Sequence, residues 1–204
     1  MMHWRDAALT FSGMPELARW LASPVPVWLW SRDARLLLWA NPAGGRELGL
    51  RHFSDLASVE LAPQDPLRRG LESAARNAGE AGTLARLRFP GFRVGPLLCR
   101  VRRLRSPQGE RVLLVEALDA RPHWGIESDL LSFFSGADFR AVLVGPELPP
   151  GEPADARVVD GRGLVALPNP SGVAGLAIVP REAGPPATHA SGQDVPAPGP
   201  PPPA

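Results

Sequence analysis

Two uninterrupted apolar runs, Val27 to Trp30 (VWLW) and Leu36 to Ala40 (LLLWA), flank a polar cluster, Ser31-Arg32-Asp33-Ala34-Arg35. Short apolar runs separated by turn-type residues read as a hairpin of paired strands. Three further strand-like stretches follow at Leu84 to Phe89, Leu97 to Leu104 and Val112 to Ala117. The run Val112 to Val115 is as apolar as the first strand. By contrast, Arg86 and Arg88 alternate with Leu87 and Phe89, and Arg100 and Arg102 alternate with Cys99 and Val101. Alternation gives a strand one dry and one wet face, whereas a continuous apolar run needs both faces covered. The first and last strands therefore require a cover over the outer face of the sheet.

Helical spacing fills the intervals. Pro15 to Ser23 places Leu17, Trp20 and Leu21 at i, i+3 and i+4, one apolar stripe on a short helix, which makes it a candidate for that cover. The same surface of a second subunit is the alternative. Leu50 to Ala62 is mixed and suits short turns. Pro66 to Gly82 repeats apolar residues at Leu67, Leu71, Ala74, Ala75 and Ala78, with Arg and Glu opposite, and ends at Gly79 and Gly82. After the hairpin stands Asn41-Pro42. Asn is a strong N-cap because its side-chain oxygen accepts from an orphan backbone N–H, and Pro at the first helical position loses no needed donor. A helix from Pro42 to Gly49 is predicted, with Asn41 as its structural cap. On that reading Asn41→Ala costs about 1 kcal/mol and Asn41→Asp changes little.

Strand, turn, strand and Asn-Pro-capped helix together resemble the opening of a PAS domain, the small sensory module of bacterial signalling proteins. In that family the first hairpin carries an Asp-x-x-Gly-type turn and closes on an Asn followed by a short helix; Asp33-Ala34-Arg35 and Asn41-Pro42-Ala43 stand in those places. Two departures are Ala34 for the usual turn Gly and Ser31 where Asp is common. The resemblance covers residues 15–120 and implies an α+β fold: a five-stranded antiparallel sheet of order 2-1-5-4-3 with helices on one face. That order puts the two most apolar strands at the centre, in agreement with their polarity. It also implies a cytoplasmic sensory role, as the input region of a bacterial sensor histidine kinase or a shortened relative of one. Such a module works as a homodimer upon a kinase or other effector partner. Family geometry sets a pocket for a small apolar or aromatic ligand between the inner sheet face and the helices, lined here by Leu37, Trp39, Leu48, Phe53, Cys99 and Val101. The rival reading is a dimerisation or interaction scaffold whose pocket its own side chains fill.

Residues 1–14 read as an N-terminal extension and residues 121–182 as a small, partly β-rich segment. Within the latter, Ser128 to Phe134 suits a short helix capped by Ser128, Ala141 to Val144 a strand, and Arg157 to Leu167 a hairpin around Asp160-Gly161. Asp33-Ala34-Arg35 leads on to Asn41-Pro42-Ala43-Gly44, and Asp160-Gly161-Arg162 leads on to Asn169-Pro170-Ser171-Gly172. A truncated second PAS-like unit and chance both account for this echo. Residues 183–204 are rich in Pro, Gly, Ala and Ser, with almost nothing to bury, and read as a disordered tail.

The net charge of +1 gives no field that argues for nucleic acid or a membrane surface. No stretch approaches the roughly 20 apolar residues of a membrane span. The single Cys excludes an internal disulfide framework and fits a reducing cytoplasm. The arginines between Arg86 and Arg111 lack an RNA-binding strand signature, with only Phe89 and Phe92 among them; they read as a solvated face or as salt bridges using Glu116. No phosphate loop, nucleophile elbow or zinc-protease motif is present, and neither are the phosphoacceptor and ATP-binding boxes of a histidine kinase. The four histidines stand apart from one another and from Cys99, so no metal-ligand spacing emerges. The chain is therefore expected to be non-catalytic, without an evident cofactor. Cys99 lies in a strand, not in the Gly-x-Asn-Cys-Arg helix motif of flavin-binding relatives, and reads as a core thiol. His52 lies in a polar loop, not on the long helix that carries the histidine of haem-binding relatives. Trp20, Trp28, Trp30 and Trp39 read as architecture in preference to pocket lining.

Overall fold

The structure, a computed structural model, describes residues 4–79, 81–90, 95–120, 126–137, 139–144, 157–159, 162–166 and 175–180. Helices α1 (Trp4–Ser12) and α2 (Pro15–Ala18) precede a hairpin of β1 (Val27–Ser31) and β2 (Leu37–Ala40). Then come α3 (Pro42–Glu47), a 3-10 helix (Phe53–Ser58) and α4 (Pro66–Asn77), followed by β3 (Thr83–Leu87), β4 (Leu97–Arg105) and β5 (Arg111–Ala117). The five strands form one antiparallel sheet in the order β2-β1-β5-β4-β3, as expected. Polarity explains the placement: β1 and β5 are buried along most of their length at the centre, while β3 and β4 alternate toward the edge. Asp65 starts α4 by accepting from Leu67 N at 2.8 Å, and Leu67, Leu71 and Ala74 form its buried stripe.

Both faces of the sheet meet helical segments, which corrects the expectation of helices on one face. Register sets Trp28 and Trp30 beside Val115 and Leu113, and the same face continues through Val101 and Cys99 to Ala85. This inner face meets α3 and α4. Trp28 Nε1 donates to the Gly44 carbonyl at 2.9 Å, and a Cβ on Gly70 of α4 would stand 2.9 Å from Leu87. The outer face carries Leu29, with Trp39 and Leu114 as its cross-strand partners. Trp39 Nε1 donates to Ser12 Oγ at 2.9 Å, so the chain's own N-terminal segment lies over this face. Ala8, Phe11, Met14, Leu17 and Leu21 of that segment are buried in the common core. Helix α2 stops at Ala18, short of the expected Ser23, and the chain continues in turns, with Trp20 N and Ser23 N donating to Leu17 O and Trp20 O.

Beyond the first sheet stand α5 (Ile126–Phe134), β6 (Phe139–Val144), β7 (Arg157–Val159), β8 (Arg162–Ala166) and β9 (Gly175–Pro180). These strands form a second antiparallel sheet of order β6-β9-β8-β7. Ser128 falls inside α5 and is not its cap, because the helix begins two residues earlier. The hairpin expected around Asp160-Gly161 has its strands paired from Val159 and Arg162 outward. Asp160, Gly161, the segment 169–172, Phe92 and the tail 183–204 lie outside the described residues. Leu130, Phe133, Phe134, Ala141, Leu176 and Ile178 share one hydrophobic cluster with the first sheet, so the core runs without a break past residue 120. Among the described residues no helix is long and apolar enough to cross a membrane.

Candidate functional site

The hairpin and α3 are locked together by one side chain. Asn41 is fully buried. Its Oδ1 accepts from Gly44 N at 2.8 Å, which caps α3, and from Val27 N at 3.0 Å. Its Nδ2 faces three carbonyls, those of Trp20 at 2.9 Å, Ser23 at 3.2 Å and Val25 at 2.8 Å. Capping is therefore one part of a larger role, in which Asn41 ties the segment before β1 to the start of α3. Gly44 is obligatory beside it, since a Cβ there would stand 2.6 Å from the Val27 carbonyl oxygen.

The turn of the hairpin is held by its own side chains. Ser31 Oγ donates to Asp33 Oδ1 at 2.6 Å, and this bond holds the Asp33 carboxyl below the usual carboxylate range. Leu36 N donates to Ser31 Oγ at 2.9 Å. Ala34 takes φ +54°, the left-handed conformation that ordinarily favours Gly, while its methyl is fully buried.

A cavity of about 410 Å³ lies on the outer side of the sheet, between α1, the 3-10 helix and the β4–β5 turn. Phe11, Leu37, Phe53, Leu56 and Val112 form its apolar wall, and Ser106, Gln108 and Glu110 its polar rim. Of the six expected pocket residues it brings together only Leu37 and Phe53. Trp39 is fully buried against Ser12, and Leu48 is half-buried at the end of α3. Cys99 and Val101 lie on the inner face, both fully buried. Burial pushes the Cys99 thiol up to about 12, which leaves it protonated and unreactive at neutral pH. The inner face itself is occupied: Trp28 and Trp30 are fully buried, and Phe89 stacks on Trp28 with ring centroids 4.2 Å apart. The participation of α1 in the cavity was not legible from sequence. WRDAALTFS does carry a helical stripe, Trp4, Ala7, Ala8 and Phe11 at i, i+3, i+4 and i+7, but a stripe says only that one side is buried and not what it is buried against.

Other candidates resolve into architecture. His52 Nδ1 donates to the Ser132 carbonyl at 3.2 Å, tying the 3-10 helix to α5. On the outer face Arg100 pairs with Glu116 at 3.6 Å and Arg86 with Asp119 at 3.7 Å. Arg103 turns to the other side and donates to the Ala75 carbonyl at the end of α4. Among the described residues no group of His, Cys, Asp and Glu could hold a metal ion. In comparison with known proteins, no family model and no curated protein matches the sequence.

Proposed function

We propose that this chain is a PAS-type sensory module, non-catalytic in itself, that passes a signal to a kinase or other effector of a two-component system in the cytoplasm. The observation that carries this reading is the cavity between the sheet and α1, because it joins a ligand-sized space to a helix that flanks the sheet. The strand order 2-1-5-4-3 and the hairpin anchored to α3 through Asn41 support the family assignment. In such a module a ligand or partner that binds one arrangement of the flanking helix better than another shifts the balance between them, with couplings of about 1–3 kcal/mol. Homodimerisation belongs to the same reading.

One observation favours the scaffold instead. The centre of the inner face, where family geometry sets a ligand, is filled by Trp28, Trp30 and Phe89. Native purification followed by denaturing extraction and sedimentation separates the two readings. A small molecule released on denaturation supports sensing. An empty chain that still dimerises overturns sensing in favour of a scaffold.

A further inference from the structure

We propose that the outer cavity is a site for a small amphiphilic amine, with α1 as the lid that closes on it; the proposal rests on the sensory reading above and gives that reading its ligand class. The wall is assembled from separate elements: Phe11 from α1, Leu37 from β2, Phe53 and Leu56 from the 3-10 helix and Val112 from β5. All five are at least nine-tenths buried, yet about 410 Å³ stays open between them, within the roughly 300–1,000 Å³ of small-molecule sites. An apolar body is what such a wall accepts.

The rim decides the other end of the ligand. Ser106 Oγ is already engaged, accepting from Glu110 N at 3.2 Å. The Glu110 carboxylate forms no ion pair among the described residues, and the nearby Arg105 guanidinium is directed to the Gly109 carbonyl instead. Arg111, the next residue, pairs across the ladder with Arg105 and borders a different recess, beside Asp33 and Glu72. An unpaired carboxylate and the Gln108 amide over an apolar cavity match a cationic, hydrogen-bond-donating head and repel an anionic one. Because Ala7 and Phe11 belong to α1 while Leu37 and Val112 belong to the sheet, an occupant touches both. It therefore binds the docked helix better than the undocked one and shifts the population toward docking.

The test uses the full chain and two probes of one shape and opposite charge, 4-phenylbutylamine and 4-phenylbutyrate, titrated calorimetrically. Binding of the amine with slowed amide exchange across α1 is the expected result. Ala57→Trp, at an exposed position on the cavity mouth, and Leu38→Phe, as a second filling variant, each weaken the amine about ten-fold or more, a change of about 1.4 kcal/mol. Glu110→Gln narrows the preference for the amine about three-fold, as an exposed charge pair allows. The proposal is overturned if the amine does not bind, if the butyrate binds equally well, if both filling variants leave amine binding intact, or if α1 exchange is unchanged on binding. A native ligand recovered on extraction but insensitive to both filling variants sinks this site and leaves sensing standing. Amine binding with the expected variant response in a chain purified empty upholds the site and tells against the sensory reading alone.

Discussion

Replacing Asn41 gives the sharpest test of how the first hairpin is held. As a helix cap alone the residue contributes about 1 kcal/mol, and Asp is an equally good cap. The structure makes the two substitutions unequal to that expectation. Asn41→Ala strands two buried donors, Val27 N and Gly44 N, each at about 1–3 kcal/mol, so a loss of roughly 2–6 kcal/mol is expected before the half-buried carbonyls are counted. Against a total of about 5–15 kcal/mol that is a large fraction. Asn41→Asp keeps the acceptor but turns the second polar atom from a donor into an oxygen facing the carbonyls of Trp20, Ser23 and Val25. The introduced carboxyl is then held protonated in the folded chain, its pKa raised above the unfolded value of about 3.9. A raised pKa favours folding below the unfolded pKa and loses that favour as pH rises, so the deficit relative to the parent chain is small near pH 4 and grows toward pH 7. About 3–5 kcal/mol is expected at neutral pH, where an uncompensated buried charge is the alternative. Urea denaturation of the parent and both variants at pH 4 and pH 7 reads this from the midpoints. An Asn41→Asp protein as stable as the parent at pH 7 would refute the five-bond account.

Three further outcomes follow from local geometry. Gly45→Ala places a Cβ 2.3 Å from the Phe133 ring, so it is expected to destabilise by about 1–3 kcal/mol despite the better helix propensity of Ala, with partial rescue by Phe133→Leu; a neutral result in thermal denaturation would show that α5 does not pack on α3. The chain contains neither Lys nor Tyr, so its alkaline limb is unusually clean: with the Cys99 thiol raised from 9.0 to about 12, stability is full below pH 9 and falls by up to about 1.4 kcal/mol per pH unit as pH rises toward 12, and Cys99→Val should flatten that slope. Ser31→Ala removes the bond that lowers the Asp33 carboxyl, so an NMR titration should find Asp33 moved up toward the ordinary carboxylate range; in the parent chain the stability linked to Asp33 is present above the unfolded pKa and lost as pH falls through the folded one.

The sheet was legible because its cause is local. Polarity along Val27 to Trp30 and Val112 to Val115 states that both faces are covered, and the alternation around Arg100 and Arg102 states the reverse. Even Ala34 follows the turn's demand, since the Ser31 and Asp33 side chains brace a backbone conformation that Ala disfavours. Which residues meet across a covered face was not legible, because such meetings are long-range choices. Trp39 and Ser12 carry no sign in sequence that they meet, and neither do Phe53 and Phe134, which stack with centroids 5.1 Å apart. The expected pocket residues are spread over both faces of the sheet. Period-two reasoning put Cys99 and Val101 on one face correctly, but Leu37 lines the outer cavity and Trp39 is buried against Ser12; of the residues that complete the cavity, Phe11 lies on a helical stripe with Trp4, Ala7 and Ala8 whose partner the sequence does not name, and Glu110 has no pattern of its own.

The contact of α5 with the 3-10 helix also has a meaning in time. His52 and Ser132, bonded across it, are 80 residues apart in the chain. At about 5–20 residues per second, a ribosome makes the second partner roughly 4–16 s after the first. In the last part of that interval, once Ala117 has been made, all five strands of the first sheet have been synthesised while Phe53 still lacks the Phe133 and Phe134 rings that pack against it. The nascent chain thus passes through a period in which a nearly complete sheet presents an uncovered aromatic, and a chaperone that holds such surfaces would find it then and not afterwards.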